Sequence, residues 1–121
     1  MKYLADSVPV DAYQSFTDSS VTLDLAVARS FRVTMSGNLT INFTHPPASG
    51  RVYHVLLALT QDGVGTRSIS AWHIGGVAKT PAYSDKAAPV LASGAGARTD
   101  LHVIVWGDGT LTVKLAGFDV G

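Results

Sequence analysis

"FRVTMSGNLTINF" (residues 31–43) sets apolar Phe31, Val33 and Met35 against polar Arg32 and Thr34. It then sets Leu39, Ile41 and Phe43 against Thr40 and Asn42. An apolar side chain at every second position falls on one face of an extended strand, not on one stripe of a helix. Ser36-Gly37-Asn38 separates the two runs. Gly and Asn tolerate the positive φ of a tight turn, so the stretch is predicted to be a β-hairpin.

The same period runs outward from here. In "VTLDL" (21–25), Val21, Leu23 and Leu25 alternate with Thr22 and Asp24. His45-Pro46-Pro47 ends the strand that carries Phe43, because proline cannot donate to a ladder and restricts the residue before it. "RVYHVLLALT" (51–60) reads as a long central strand, and its unbroken apolar run Val55–Leu59 predicts burial on both faces. "RSISAW" (67–72) is a further alternating piece with Ile69 and Ala71 inward. In "DLHVIVWGDGTLTVKLAGF" (100–118), Leu101, Val103 and Val105 alternate, Gly107-Asp108-Gly109 makes the turn, and Leu111, Val113 and Leu115 return. That is a second predicted hairpin.

Between His73 and Ala97 the pattern dissolves among Gly75, Gly76, Pro81, Pro89, Gly94 and Gly96, with only "PVLA" (89–92) strand-like. Long irregular connections in compact domains often carry ligand or partner contacts. Seven or eight short strands and no convincing helix predict an all-β fold, an antiparallel two-sheet β-sandwich of jelly-roll type over residues 21–121. Residues 1–20 sit outside the alternation, yet Tyr3, Leu4, Val8, Val10, Tyr13 and Phe16 are too apolar for a solvated tail. They are expected to form an extended arm that packs on a neighbouring subunit or a larger assembly.

Length and composition bound the function. A chain of 121 residues is one domain with a real core, and 46% hydrophobic against 15% charged residues describes a folded protein. The net charge is zero, and the basic residues are scattered from Lys2 to Lys114, so no clustered surface tracks nucleic-acid phosphates. Absence of cysteine excludes disulfides, thiolate metal sites and cysteine nucleophiles. "MKYLADSVPV" lacks the apolar stretch of a secretory leader, and no run approaches the roughly 20 apolar residues that cross a bilayer. A soluble protein without membrane contact is expected.

Catalytic and metal patterns are weak. "TQDGVGTRSISAW" (60–72) superficially resembles a calcium loop, but after Asp62 the next carboxylate is Asp85. Gln61-Asp62-Gly63 and Gly65 read better as the turn of a hairpin corner, with Arg67 and Trp72 on the returning strand. His45, His54, His73 and His102 are dispersed without zinc-ligand spacing. There is no nucleophile elbow and no phosphate loop, and with Glu absent a glycosidase pair would need two Asp brought together by folding. No enzyme activity and no cofactor are expected. Asn38-Leu39-Thr40 and Asn42-Phe43-Thr44 match the glycosylation acceptor pattern, though both lie within the predicted hairpin. Trp72, Tyr83 and Trp106 are the candidate carbohydrate contacts, since aromatic faces stack on sugar rings. The competing reading has Trp72 and Trp106 capping the ends of the core.

The order of turn signals carries a resemblance. Gly37-Asn38, Pro46-Pro47, Gly50, Gln61-Asp62-Gly63, Gly65, Arg67 and Trp72, followed by Pro89, Asp100 and Gly107-Asp108-Gly109, resemble a module of tailed-bacteriophage virion proteins, mainly tail fibres and related appendage proteins. The chain departs from that pattern at His73, where the module usually has Pro, and at Ile74-Gly75-Gly76, where it usually has Trp-Gly-Gly. The resemblance implies a virion component, assembled in the host cytoplasm, with a trimeric habit. It carries over no catalytic residues.

Two functions follow as expectations. The first is a capsid decoration or cement protein that binds neighbouring subunits, such as the major capsid protein, as a homotrimer matching local threefold symmetry. The second is a tail-fibre or baseplate module that binds host-surface glycan. The short chain, without shaft or coiled coil, favours the first.

Overall fold

The computed structural model describes residues 12–84 and 86–118. Eight strands, β1 (Gln14–Asp24), β2 (Ser30–Thr44), β3 (Val52–Gln61), β4 (Ile69–Ile74), β5 (Val77–Lys79), β6 (Ala82–Tyr83), β7 (Arg98–Trp106) and β8 (Leu111–Gly117), form one connected sheet. Among the described residues there is no helix. The all-β expectation therefore holds at the level of class. The expected antiparallel arrangement does not: β2 pairs in parallel with β1, β3 and β4, and β6 with β8, whereas β3–β7, β7–β8 and β4–β5 are antiparallel.

The centre of the fold is the stretch predicted to be a hairpin, and it is not one. β2 runs from Ser30 to Thr44 without reversing, flanked along one edge by β1 and along the other by β3 and then β4. Gln14 pairs with Phe31 and Asp24 with Thr44. A straight β1 would hold its ends about 33 Å apart. Residues 25–30 must carry the chain from Asp24 back to Phe31, and roughly seven steps reach at most about 25 Å. Part of that reach is consumed by a tight turn in which Val27 and Ala28 donate to the Asp24 carbonyl. Both strands must therefore bend. The bend lies where β1 steps from Asp18 to Ser20 while β2 steps from Met35 to Thr40. Ser36-Gly37-Asn38 thus makes a bulged corner. A Cβ on Gly37 would lie 3.1 Å from Ser19 Cβ, so the two strands touch there.

Bending curls the sheet around one core. Val21 and Leu23 of β1, Phe31, Val33, Met35, Leu39, Ile41 and Phe43 of β2, and Val55, Leu57 and Leu59 of β3 all point inward. Leu101, Val103 and Val105 of β7 and Leu111 and Val113 of β8 complete the wall. The predicted inward set is thus found almost entirely, with three corrections. Leu115 is exposed. In β4 a register shift between Leu39 and Thr40 leaves Ser70 unpaired and changes the parity. Trp72 and Ile74 are buried in consequence, Ile69 packs at the core margin, and Ala71 is only half-buried. In β3 the two-face burial fails, because Leu56 is 46% exposed on the outer side while Ala58 is covered.

Elsewhere the Gly107-Asp108-Gly109 hairpin is present between β7 and β8. "PVLA" forms no strand. The arm expected over residues 1–20 is not found over 14–20, which belong to β1 and pair with β2. Phe16 accordingly packs on its own core, and Tyr13 is exposed with the Arg32 guanidinium 5.6 Å from its ring centre. Tyr3, Leu4, Val8 and Val10 lie outside the described residues. No helix among the described residues is long and apolar enough to cross a membrane.

Candidate functional site

Two surfaces are built by this fold, and the first depends on how "TQDGVGTRSISAW" crosses from β3 to β4. β3 leaves β2 at Gln61, opposite Met35, and β4 rejoins it at Ile69, opposite Leu39. Residues 62–68 bridge the corner of β2, so the segment is no hairpin. Asp62 Oδ1 accepts from the Val64 and Gly65 amides, each at 3.1 Å, and Oδ2 accepts from Arg67 Nη2 at 3.1 Å. The Arg67 bond, then the two amides, hold the Asp62 carboxyl below its ordinary pKa. Its oxygens serve the turn. Among the described residues no group of three or more His or Asp side chains is placed to hold a metal.

Gln61, almost wholly buried, locks this corner to the irregular segment before β7. Its Oε1 accepts from the Arg67 amide at 2.9 Å, while Nε2 donates to the carbonyls of Arg67 at 2.9 Å and Ala92 at 3.0 Å. Ala92 N donates to Thr99 Oγ1, and Thr66 N to the Ser93 carbonyl. Thr66 has a φ of 60°, a strained conformation for a β-branched residue.

Beneath that segment lies a cavity of about 440 Å³. Trp72, Tyr83, Ile69 and Leu91 form its apolar wall, Leu101 and Val113 its floor, and Thr66, Arg67, Ser68 and Ser93 supply polar groups. Apolar walls with a few convergent polar groups are the usual form of a small-molecule site. Arg67 brings a cation to the lining, and its Nε is buried without a partner. Two of the three candidate carbohydrate contacts meet here. Trp72 is nonetheless mainly a core residue, only 6% exposed, with its ring stacked 6.3 Å from Phe43. Tyr83 is the more available of the two.

Trp106 stands apart from both, on the outer face of the sheet. There Val52 is in register with Trp106, His54 with Ile104, and Leu56 with His102. Trp106 is 42% exposed and its Nε1 donates to Thr112 Oγ1 at 3.0 Å. The sequence pattern marked Trp106 but not its neighbours, because Leu56 lies in an unbroken apolar run and the histidines are far apart in the chain. Register is the missing information, and the even-numbered positions of β3 and β7 are its only trace. Beside this face, Arg98 Nε lies 3.0 Å from Asp100 Oδ1 and Nη2 donates to Oδ2 at 3.2 Å, an ion pair across one strand face.

Comparison with protein-family models, with curated proteins and with solved structures returned no match.

Proposed function

We propose that the chain is a non-enzymatic structural protein of a bacteriophage virion. It acts as a capsid decoration or cement protein, joining copies of itself and the major capsid protein through the outer face of β3, β7 and β8. The observation that carries this is the exposure of Val52, Leu56 and Trp106, at 37, 46 and 42%, on one continuous sheet face that nothing among the described residues covers. Covering three half-exposed side chains contributes about 1 kcal/mol each. That falls short of the cost of association, so a stable assembly needs further contact. The outer edge of β1 has no partner strand among the described residues, and an unpaired edge offers backbone hydrogen bonds to a neighbouring chain.

The order of turn residues from Gly37 to Gly109 supports the virion assignment, and with it a homotrimer assembled in the host cytoplasm. A sandwich-like form belongs to the same proposal, because the bends in β1 and β2 turn two halves of the sheet toward each other across Phe31 and Phe43. Tyr3, Leu4, Val8 and Val10 are proposed as further assembly contacts on sequence grounds. Sedimentation equilibrium on the full chain and on Leu56→Asp tests the reading. The expected result is a trimer that the substitution dissociates, and a wild-type monomer at all concentrations would refute it.

The meeting of Trp72 and Tyr83 in one cavity favours a second reading, a tail-fibre or baseplate module that binds host-surface carbohydrate. Glycan-array screening separates the two. A specific hit lost in Tyr83→Ala supports the second, and a blank array supports the first.

A further inference from the structure

The outer face carries a pair of imidazoles that neither assembly nor the cavity explains. His54 of β3 and His102 of β7 are diagonal neighbours across an antiparallel ladder. His54 Nδ1 lies 3.0 Å from His102 Nε2, with the ring centres 5.2 Å apart and the planes inclined by 27°. Without a metal, one shared proton bridges such a pair.

The separation also suits chelation, once a rotation of the rings turns both nitrogens from each other toward a common ion. An imidazole nitrogen sits about 2.0–2.1 Å from a first-row divalent ion, so two of them lie about 2.9 Å apart across a right angle and about 3.4 Å apart across a tetrahedral one. Both rings are carried on paired strands, so little order is lost when a cation joins them. The surroundings choose the class of cation. Lys114 stands in register with His102, and Asp100, the nearest carboxylate along β7, is engaged by Arg98. Calcium and magnesium require oxygen ligands that this face does not offer, whereas neutral imidazole suits copper, nickel and zinc.

We propose that His54 and His102 form a two-imidazole site for a borderline divalent transition cation, with water in the remaining coordination positions. The site lies on the same sheet face as Val52, Leu56 and Trp106, so a partner docked there would cover it.

Isothermal titration of the full chain with nickel chloride, at neutral pH in a non-chelating buffer, tests it. The expected result is one saturable site per chain, with affinity reduced about tenfold or more in His54→Ala and in His102→Ala, since each loses the second arm of the chelate. His45→Ala and His73→Ala should bind as wild type. Far-UV circular dichroism checks the fold, and His54→Gln and His102→Gln replace any alanine variant that fails to fold. Substoichiometric copper should also broaden the imidazole C–H resonances of His54 and His102 before those of the other two histidines. Absence of saturable binding, or binding unchanged when both histidines are replaced, overturns the proposal.

Discussion

Replacing Gln61 with Met keeps the length of the side chain and removes its amide. In the folded protein that amide makes three hydrogen bonds, one from the Arg67 amide and two to the carbonyls of Arg67 and Ala92. The bond to Ala92 is buried, so its loss strands a carbonyl away from water at about 1–3 kcal/mol. The two bonds to Arg67 are partly accessible and contribute about 0.5–1.5 kcal/mol each. Methionine recovers part of this by burying an apolar chain, leaving a net loss of about 3 kcal/mol. With a urea m-value of about 2 kcal/mol/M, the unfolding midpoint falls by about 1.5 M. Because the same bonds hold residues 92–93 over the cavity, the Arg67 amide should also lose hydrogen-exchange protection. A midpoint shift below about 0.3 M, with the Arg67 amide still protected, would refute the assignment of Gln61 as the link between the corner and the cavity roof.

Asp62 gives a pH-dependent counterpart. Its folded pKa is depressed, so its contribution is present above the unfolded value near 3.9 and disappears as pH falls through the folded value. The urea midpoint of the wild type should fall more steeply below about pH 4 than that of Asp62→Asn, and parallel curves contradict the Arg67 pairing. Gly65 has a φ of +77°, and a Cβ there would lie 2.6 Å from the Ser93 carbonyl oxygen. Gly65→Ala is therefore expected to cost about 1–3 kcal/mol by thermal or urea denaturation. The neighbouring strain runs the other way, and Thr66→Gly should stabilise by up to about 1 kcal/mol in the same assay, with a destabilised variant contradicting the strain at Thr66. Phe43→Ala removes a fully buried ring stacked on Trp72, with an expected loss of about 3–5 kcal/mol and a changed tryptophan emission spectrum.

Much of the core was legible from the period of two. Alternation puts Phe31, Val33, Met35, Leu39, Ile41 and Phe43 on the inward face, where the fold has them, although the chain between them follows a different path from the predicted hairpin. Alternation reports which face a side chain takes and is silent on which strand lies alongside. A bulged corner and a tight hairpin use the same residues, and Ser36-Gly37-Asn38 fits either. The choice was made by β1, which tracks β2 through the bend, and by β3 and β4, which divide its other edge. Ile69 and Ala71 show the second limit, because one unpaired residue at Ser70 shifts the parity of everything after it. The cavity was half legible. Trp72 and Tyr83 stood out as aromatics, but Arg67 read only as a strand residue, and only the folded path of residues 88–93 brings all three together.

The curled sheet and its cavity depend on β2 being one bent strand, and nuclear Overhauser effects across the ladder test that most directly. Backbone contacts are expected between Val21 and Ile41, and between Val33 and Leu59, with none between Thr34 and Thr40. A strong Thr34–Thr40 backbone contact, with the first two absent, would restore the hairpin and remove the curled sheet on which the cavity rests.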